Sequence, residues 1–115
     1  MNYNDLKVWQ ESMKLVTTIY KLTKKFPSDE RFSLTDQMHR AAISIPSNIA
    51  EGHARRTKTD FARFLRISLG SCTELETQLI IASNLDYVSK KDTEPILEQS
   101  LLIRKMISKL ISTLS

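Results

Sequence analysis

Apolar residues recur at spacings of three and four along four segments of this chain, and this spacing is the strongest constraint on its fold. Between Asp5 and Phe26 two such series interleave. They predict a helix whose apolar face is wide enough to contact neighbours on two sides. No segment of useful length alternates apolar and polar residues with the period of two that half-buried strands show. The chain is therefore predicted to be all-α.

Proline, glycine and capping residues divide the middle of the chain. Pro46 lies inside the second apolar pattern and lacks a backbone donor, so we expect a kink near it. Gly52 is a natural end for that helix. Thr57 and Asp60 form a capping signature that predicts a long third helix starting near Asp60. The apolar stripe of this third helix is predicted to contain Phe61, Leu65, Ser68, Cys72, Leu75, Leu79 and Ala82, widened by Leu69 and Ile80.

Residues 1–115 are enough for a single domain with one hydrophobic core. Four helices joined by short connections favour an antiparallel up-down-up-down four-helix bundle. A glycine inside a helix costs about 1 kcal/mol relative to alanine. We therefore expect Gly70 and Ser71 to lie against a second backbone, at residues 41–42. The first and fourth helices carry more aliphatic surface than one bundle interior requires, which predicts a homo-oligomer.

Composition argues against secreted and membrane proteins. Cys72 is the only cysteine, so no intramolecular disulfide can form, and a reducing compartment is favoured. The first ten residues lack the charged and apolar regions of a signal peptide. No apolar run approaches the roughly 20 residues that span a bilayer. We expect a cytoplasmic protein with no membrane contact.

The formal net charge of +4 is concentrated in one short segment. Residues 53–66 hold five cations and one acid, whereas the rest of the chain is neutral overall. Cations this close together create a local field that attracts phosphate groups. The predicted nucleic-acid-binding residues are Arg55, Arg56, Lys58, Arg63 and Arg66.

Phe61 and Phe64 fall at positions suited to packing, so no aromatic platform interleaves with these cations. We therefore expect contacts to the phosphate backbone rather than readout of bases. The alternative is a solvated face, in which Arg63 or Arg66 pairs with Glu51.

Three other polar residues are interpreted as structural. Arg40 lies in an apolar run, so we expect it to pair with Glu74 or Glu76 on the third helix. The Asn48 amide is expected to bind the carbonyl that the nearby proline leaves free. Asn48 and Glu51 are three residues apart and are expected to form a polar pair on one helical face.

The chain has no pattern typical of a catalytic or metal site. Only His39, His53, Glu51 and Cys72 offer suitable side chains, and the Glu-x-x-His unit of di-iron bundles is missing. Neither a Gly-rich phosphate loop nor a nucleophile elbow is present. We expect no enzymatic activity and no cofactor or metal.

Two segments resemble a known family: FPSDERFSLTDQMHRAAISIPSNIAEG at residues 26–52 and DFARFLRISLGSCTELETQL at residues 60–79. They look like the small four-helix-bundle proteins encoded in intervening sequences of bacterial 23S rRNA genes. Relatives of the accessory variability determinant of diversity-generating retroelements belong to the same family. The resemblance implies a homopentamer with a role associated with RNA or DNA. For the retroelement relatives it also implies binding to a reverse transcriptase.

Two functions follow as hypotheses. The first is a non-enzymatic oligomeric module that binds RNA or DNA through phosphate contacts. The second is a homo-oligomeric scaffold or accessory subunit that docks a protein partner and makes no direct contact with nucleic acid.

Overall fold

Four α-helices joined by short connections make up most of the chain, in a computed structural model that describes residues 1–115. The helices are α1 (Lys7–Thr23), α2 (Leu34–Ala54), α3 (Lys58–Asn84) and α4 (Lys90–Ser112). Short 3₁₀ turns, Tyr3–Asp5 and Ser28–Glu30, precede α1 and α2. There is no β-strand. The all-α prediction is confirmed.

Each helix packs against two others, because contacts join α1 to α2, α2 to α3, α3 to α4 and α4 to α1. All four helices contribute to one continuous hydrophobic core, with Leu15, Ile45, Leu75 and Ile103 fully buried. Burying an aliphatic side chain of this size contributes about 1.5–3 kcal/mol. The arrangement is consistent with a four-helix bundle.

The predicted apolar stripe of α3 is confirmed. Phe61 and Leu69 are half-buried against the core, and the other positions of the main stripe are buried. Ile80 is an exception to the prediction, since it is 50% exposed. The capping signature is also confirmed, since the Thr57 hydroxyl accepts a hydrogen bond from the Asp60 amide at 3.1 Å. The helix begins at Lys58, two residues earlier than expected.

α2 and α3 approach each other closely at Gly52. A Cβ added at Gly52 would lie only 2.7 Å from the Phe64 Cβ. Farther along the pair, the Ser68 hydroxyl donates to the Ile45 carbonyl at 2.9 Å. Residue numbers fall along α2 as they rise along α3 in these contacts. An antiparallel arrangement of all four helices and a bend at Pro46 remain predictions.

Two expectations about glycine are wrong. α2 does not end at Gly52 but continues to Ala54. The left-handed residue that often follows a helix end is Arg56, while Gly52 keeps a negative φ and packs against α3. Gly70 is exposed, and no heavy atom lies within 4 Å of the position a Cβ would take. It therefore does not face residues 41–42, and the close contact occurs at the other glycine.

A polar network crosses the interface between α3 and α4 beside Cys72. The Ser100 hydroxyl donates to Glu76 Oε2 at 2.7 Å. Arg104 holds both carboxylate oxygens of Glu76, through Nε at 2.8 Å and Nη2 at 3.2 Å. Burial raises the pKa of Cys72 from 9.0 to about 11; Glu76 adds to the rise, and Ser100 and Arg104 oppose it. The thiol is therefore buried and neutral at physiological pH.

We expect Gly52→Ala to lower the free energy of unfolding by about 1–3 kcal/mol, because the added methyl group overpacks the contact with Phe64. Gly70→Ala is the matched control. It should raise that free energy by about 0.5–1 kcal/mol, since alanine is the better helix former and meets open space. Urea denaturation followed by circular dichroism measures both. Equal stability of the two variants would contradict the packing role of Gly52.

The free energy of unfolding should fall as pH rises from about 9 towards 11, because the Cys72 thiol ionises first in the unfolded chain. Urea denaturation across this pH range measures the fall, which should be smaller in Cys72→Ala. Native protein should also resist a thiol reagent at pH 8, whereas unfolded protein reacts with one equivalent. Rapid labelling of the native protein would show that the thiol is accessible.

Candidate nucleic-acid interface

The turn between α2 and α3 is three residues long, and packing holds it on both sides. Gly52 lets the end of α2 approach Phe64 near the start of α3. Thr57 caps α3. Between these two fixed points Arg56 adopts a left-handed backbone conformation with φ of 70°. The turn therefore presents its cations from a defined backbone.

Phe64 brings together two of the predicted cations. The Arg55 and Arg63 guanidinium carbons lie 5.1 Å and 4.5 Å from the centroid of its ring. Each cation–π contact contributes about 0.5–1 kcal/mol at an exposed site. Arg55 also lies 3.8 Å from Glu51, and Arg63 lies 3.6 Å from Asp60. These two guanidinium groups are therefore held in place on one side of the turn.

The other three predicted cations, Arg56, Lys58 and Arg66, are exposed. None of them has a carboxylate within ion-pair distance. Their charges are therefore the least compensated in the segment. We use the name basic patch for Arg55, Arg56, Lys58, Arg63 and Arg66, which the structure places together around the α2–α3 turn.

The prediction that Arg40 pairs with Glu74 or Glu76 is wrong. Its Nε donates to Asp36 Oδ2 at 2.9 Å, one turn earlier on the same helix, and its side chain is 80% exposed. Glu76 is occupied by Arg104. Because α2 turns Arg40 towards solvent, the local acid is within reach and the cross-helix acids are not needed.

Asn48 has a structural hydrogen bond, but not the expected one. Its amide donates to the Ser44 carbonyl at 2.8 Å and to the Ser44 hydroxyl at 2.9 Å. The carbonyl that Pro46 leaves without a helical donor belongs instead to Ala42. The Ser71 hydroxyl donates to Ser44 Oγ at 2.8 Å and so links this group to α3.

Glu51 also has a different partner from the expected one. It pairs with Arg55 one turn later rather than with Asn48. The acid therefore lies at the edge of the basic patch and offsets part of its charge.

Two aromatic residues near the N-terminus, Tyr3 and Trp9, were not predicted to lie at this end of the bundle. The Tyr3 and Trp9 rings meet edge to face with centroids 5.3 Å apart. At the far end of α1, Thr23 Oγ1 lies 2.8 Å from Nε2 of His39, near the start of α2. The Tyr3–Asp5 turn before α1 also contacts α2. That turn must therefore lie toward the end of α2 that leads into the basic patch.

Other polar groups form no site of comparable charge. No three His, Cys, Asp or Glu side chains come together in a way that could hold a metal ion. His39 stacks on Tyr20 with ring centroids 3.7 Å apart; burial lowers its pKa, against an opposing effect of Asp36. A cleft of about 220 Å³ between the end of α3 and the start of α4 includes Lys90 and Glu94 in its lining.

None of the helices combines the length and the apolar character needed to cross a membrane.

Comparison with known proteins identifies the family. The family model described as 23S rRNA-intervening sequence protein matches residues 4–109. A 1.70 Å crystal structure from Bacteroides thetaiotaomicron, of a protein with unknown function from the S23 ribosomal protein family, is similar in fold, with a TM-score of 0.83. It is 27% identical, and the alignment covers 90% of this chain and 97% of that one. No curated protein matches. The chain belongs to the 23S rRNA-intervening sequence protein family.

Proposed function

We propose that this protein is a non-enzymatic, cytoplasmic module that binds RNA or DNA through phosphate contacts from the basic patch. The observation that carries the proposal is the grouping of five exposed cations on one short turn and the adjoining part of α3. Their segment accounts for the whole net charge of the chain. The family description, which refers to 23S rRNA, is compatible with a role near RNA.

The five cations suit backbone contacts for different reasons. Arg55 and Arg63 are pre-positioned by the Phe64 ring, so less side-chain entropy is lost when they meet a phosphate. Arg56, Lys58 and Arg66 form no ion pair, so no salt bridge has to break before they bind a phosphate. Phosphate contacts of this kind carry little sequence information and weaken steeply as salt concentration rises.

The triple variant Arg56→Ala/Lys58→Ala/Arg66→Ala tests the proposal. We expect its affinity for a labelled oligonucleotide to fall at least about tenfold at low salt. The slope of log affinity against log salt should flatten by roughly two to three, because each lost phosphate contact removes about 0.7–0.9. Fluorescence anisotropy titrations at several salt concentrations measure both quantities.

The matched control is Lys21→Ala/Lys24→Ala/Lys91→Ala, which removes the same charge from the last turn of α1, the residue after it, and the first turn of α4. All three lysines are exposed and form no ion pair. The control should retain most of the affinity. An equal loss in both variants would point to overall charge, and no binding by the wild-type protein would reject the function.

The second candidate is a homo-oligomeric scaffold that docks a protein partner, such as the reverse transcriptase that the resemblance implies. The observation that favours assembly is a set of large apolar side chains left 39–55% exposed on the helix surfaces. They are Met13, Tyr20, Ile43, Ile67, Ile80, Ile81, Leu101 and Leu102. Covering such side chains against further copies would stabilise an assembly, and a ring of five copies would repeat the basic patch five times.

We expect sedimentation equilibrium at micromolar concentration to give a mass several times that of one chain. Leu102→Glu, which places a charge at a residue 55% exposed, should lower this mass if α4 contributes to the interface. Its circular dichroism spectrum should stay helical. A purely monomeric wild-type protein would contradict the proposed assembly. Retention of a partner after nuclease treatment would favour the scaffold over direct nucleic-acid binding.

A further inference from the structure

We infer that the nucleic acid bound by the basic patch is single-stranded and that Tyr3 stacks on one of its unpaired bases. This inference rests on the proposed function, because it extends the same site. It adds an aromatic contact from the 3₁₀ turn at Tyr3–Asp5, more than fifty residues away in sequence from the patch.

Tyr3 has the position and exposure that base stacking needs. Its turn contacts α2 and lies toward the end of that helix that leads into the basic patch. Tyr3 keeps 36% of its residue surface exposed. Its hydroxyl forms no hydrogen bond within the protein, so no polar contact would have to break first.

The turn that carries Tyr3 is ordered by its own hydrogen bonds. The Tyr3 amide donates to Asn2 Oδ1 at 2.8 Å, and the Asn2 amide donates to Asp5 Oδ2 at 3.0 Å. The Leu6 amide donates to the Tyr3 carbonyl at 3.0 Å. Trp9 supports the ring from the first turn of α1. A base would therefore meet a platform that is already formed, which reduces the entropy cost of stacking.

The other aromatic residues near the patch are less suited to this role. The guanidinium groups of Arg55 and Arg63 already lie over the Phe64 ring, so the ring is not free to stack on a base. Phe61 is half-buried, packs against Gly52 and meets His53 edge to face. Among the aromatic rings at this end of the bundle, Tyr3 is the one that is exposed and not covered by a cation.

An exposed ring at the same end of the bundle as a short cationic track favours a single strand over a duplex. Lys58 and Arg66 are eight residues apart on α3, which corresponds to a rise of roughly 12 Å. This distance fits a few successive phosphates of one strand. Bases in a duplex are stacked on each other, so their faces are closed to a side chain, whereas single-stranded RNA and DNA both present them.

The test compares one single-stranded 12-mer, as RNA and as DNA, with its duplex at the same salt concentration. We expect the single strands to bind about fivefold or more tightly than the duplexes, the factor that one stacked base can supply. Trp9 is the only tryptophan, and its ring centroid lies 5.3 Å from that of Tyr3. Its fluorescence should therefore change when a single strand binds and stay constant with a duplex.

Substitution of Tyr3 separates stacking from charge. Tyr3→Leu keeps apolar packing on Trp9 but should abolish the preference for single strands, with the salt dependence unchanged because no phosphate contact is lost. Tyr3→Phe should retain the preference. Phe32→Ala is the matched aromatic control: this ring is 87% exposed, lies just before α2 and has Arg31 over it at 5.4 Å. It should bind as the wild type does.

The outcomes distinguish this inference from the function on which it rests. Equal or tighter binding of duplex, or normal binding by Tyr3→Leu, would overturn the stacking inference. The basic-patch function would still stand if the Arg56/Lys58/Arg66 variant were weakened. Failure of the wild-type protein to bind any of the four oligonucleotides would overturn both.

Discussion

The approach of α2 to α3 at Gly52 is the constraint on which the rest of the candidate site depends. Without a Cβ at this position, Phe61 and Phe64 pack directly on the backbone of α2. The three-residue turn can then join two helices that are already in contact, and Phe64 remains where Arg55 and Arg63 can lie over its ring. The contact at Gly52 therefore fixes both the packing of α2 on α3 and the arrangement of the charged side chains around Phe64.

Much of the fold was predictable from the sequence because helices depend on local spacing. The stripe from Phe61 to Ala82 follows from intervals of three and four residues, and the cap at Thr57 follows from its distance to Asp60. The two glycines could not be told apart in this way. Gly52 and Gly70 both interrupt a helical pattern, and only the relative position of α2 and α3 decides which of them another helix contacts.

The candidate site was predictable to the extent that charge is visible in the chain, and all five cations lie in one sequence segment. Partner choice was not predictable. Arg40 pairs with an acid on its own helix, while Glu76 is bound from α4 by Arg104. The Tyr3–Trp9 pair was missed because its position beside the end of α2 depends on how α1 and α2 pack together.

Backbone conformation and charge favour different residues at position 56, because Arg56 has a left-handed backbone conformation. Glycine and asparagine adopt such a conformation at lower free energy than most side chains do. Either replacement would relax the turn, and either would remove a positive charge from its apex. Replacing Arg56 by glycine or asparagine would lower the conformational strain of the backbone, but it would also weaken the local positive electrostatic potential. A stability-optimised version of this chain would thus tend to lose charge first at the tip of its most basic turn.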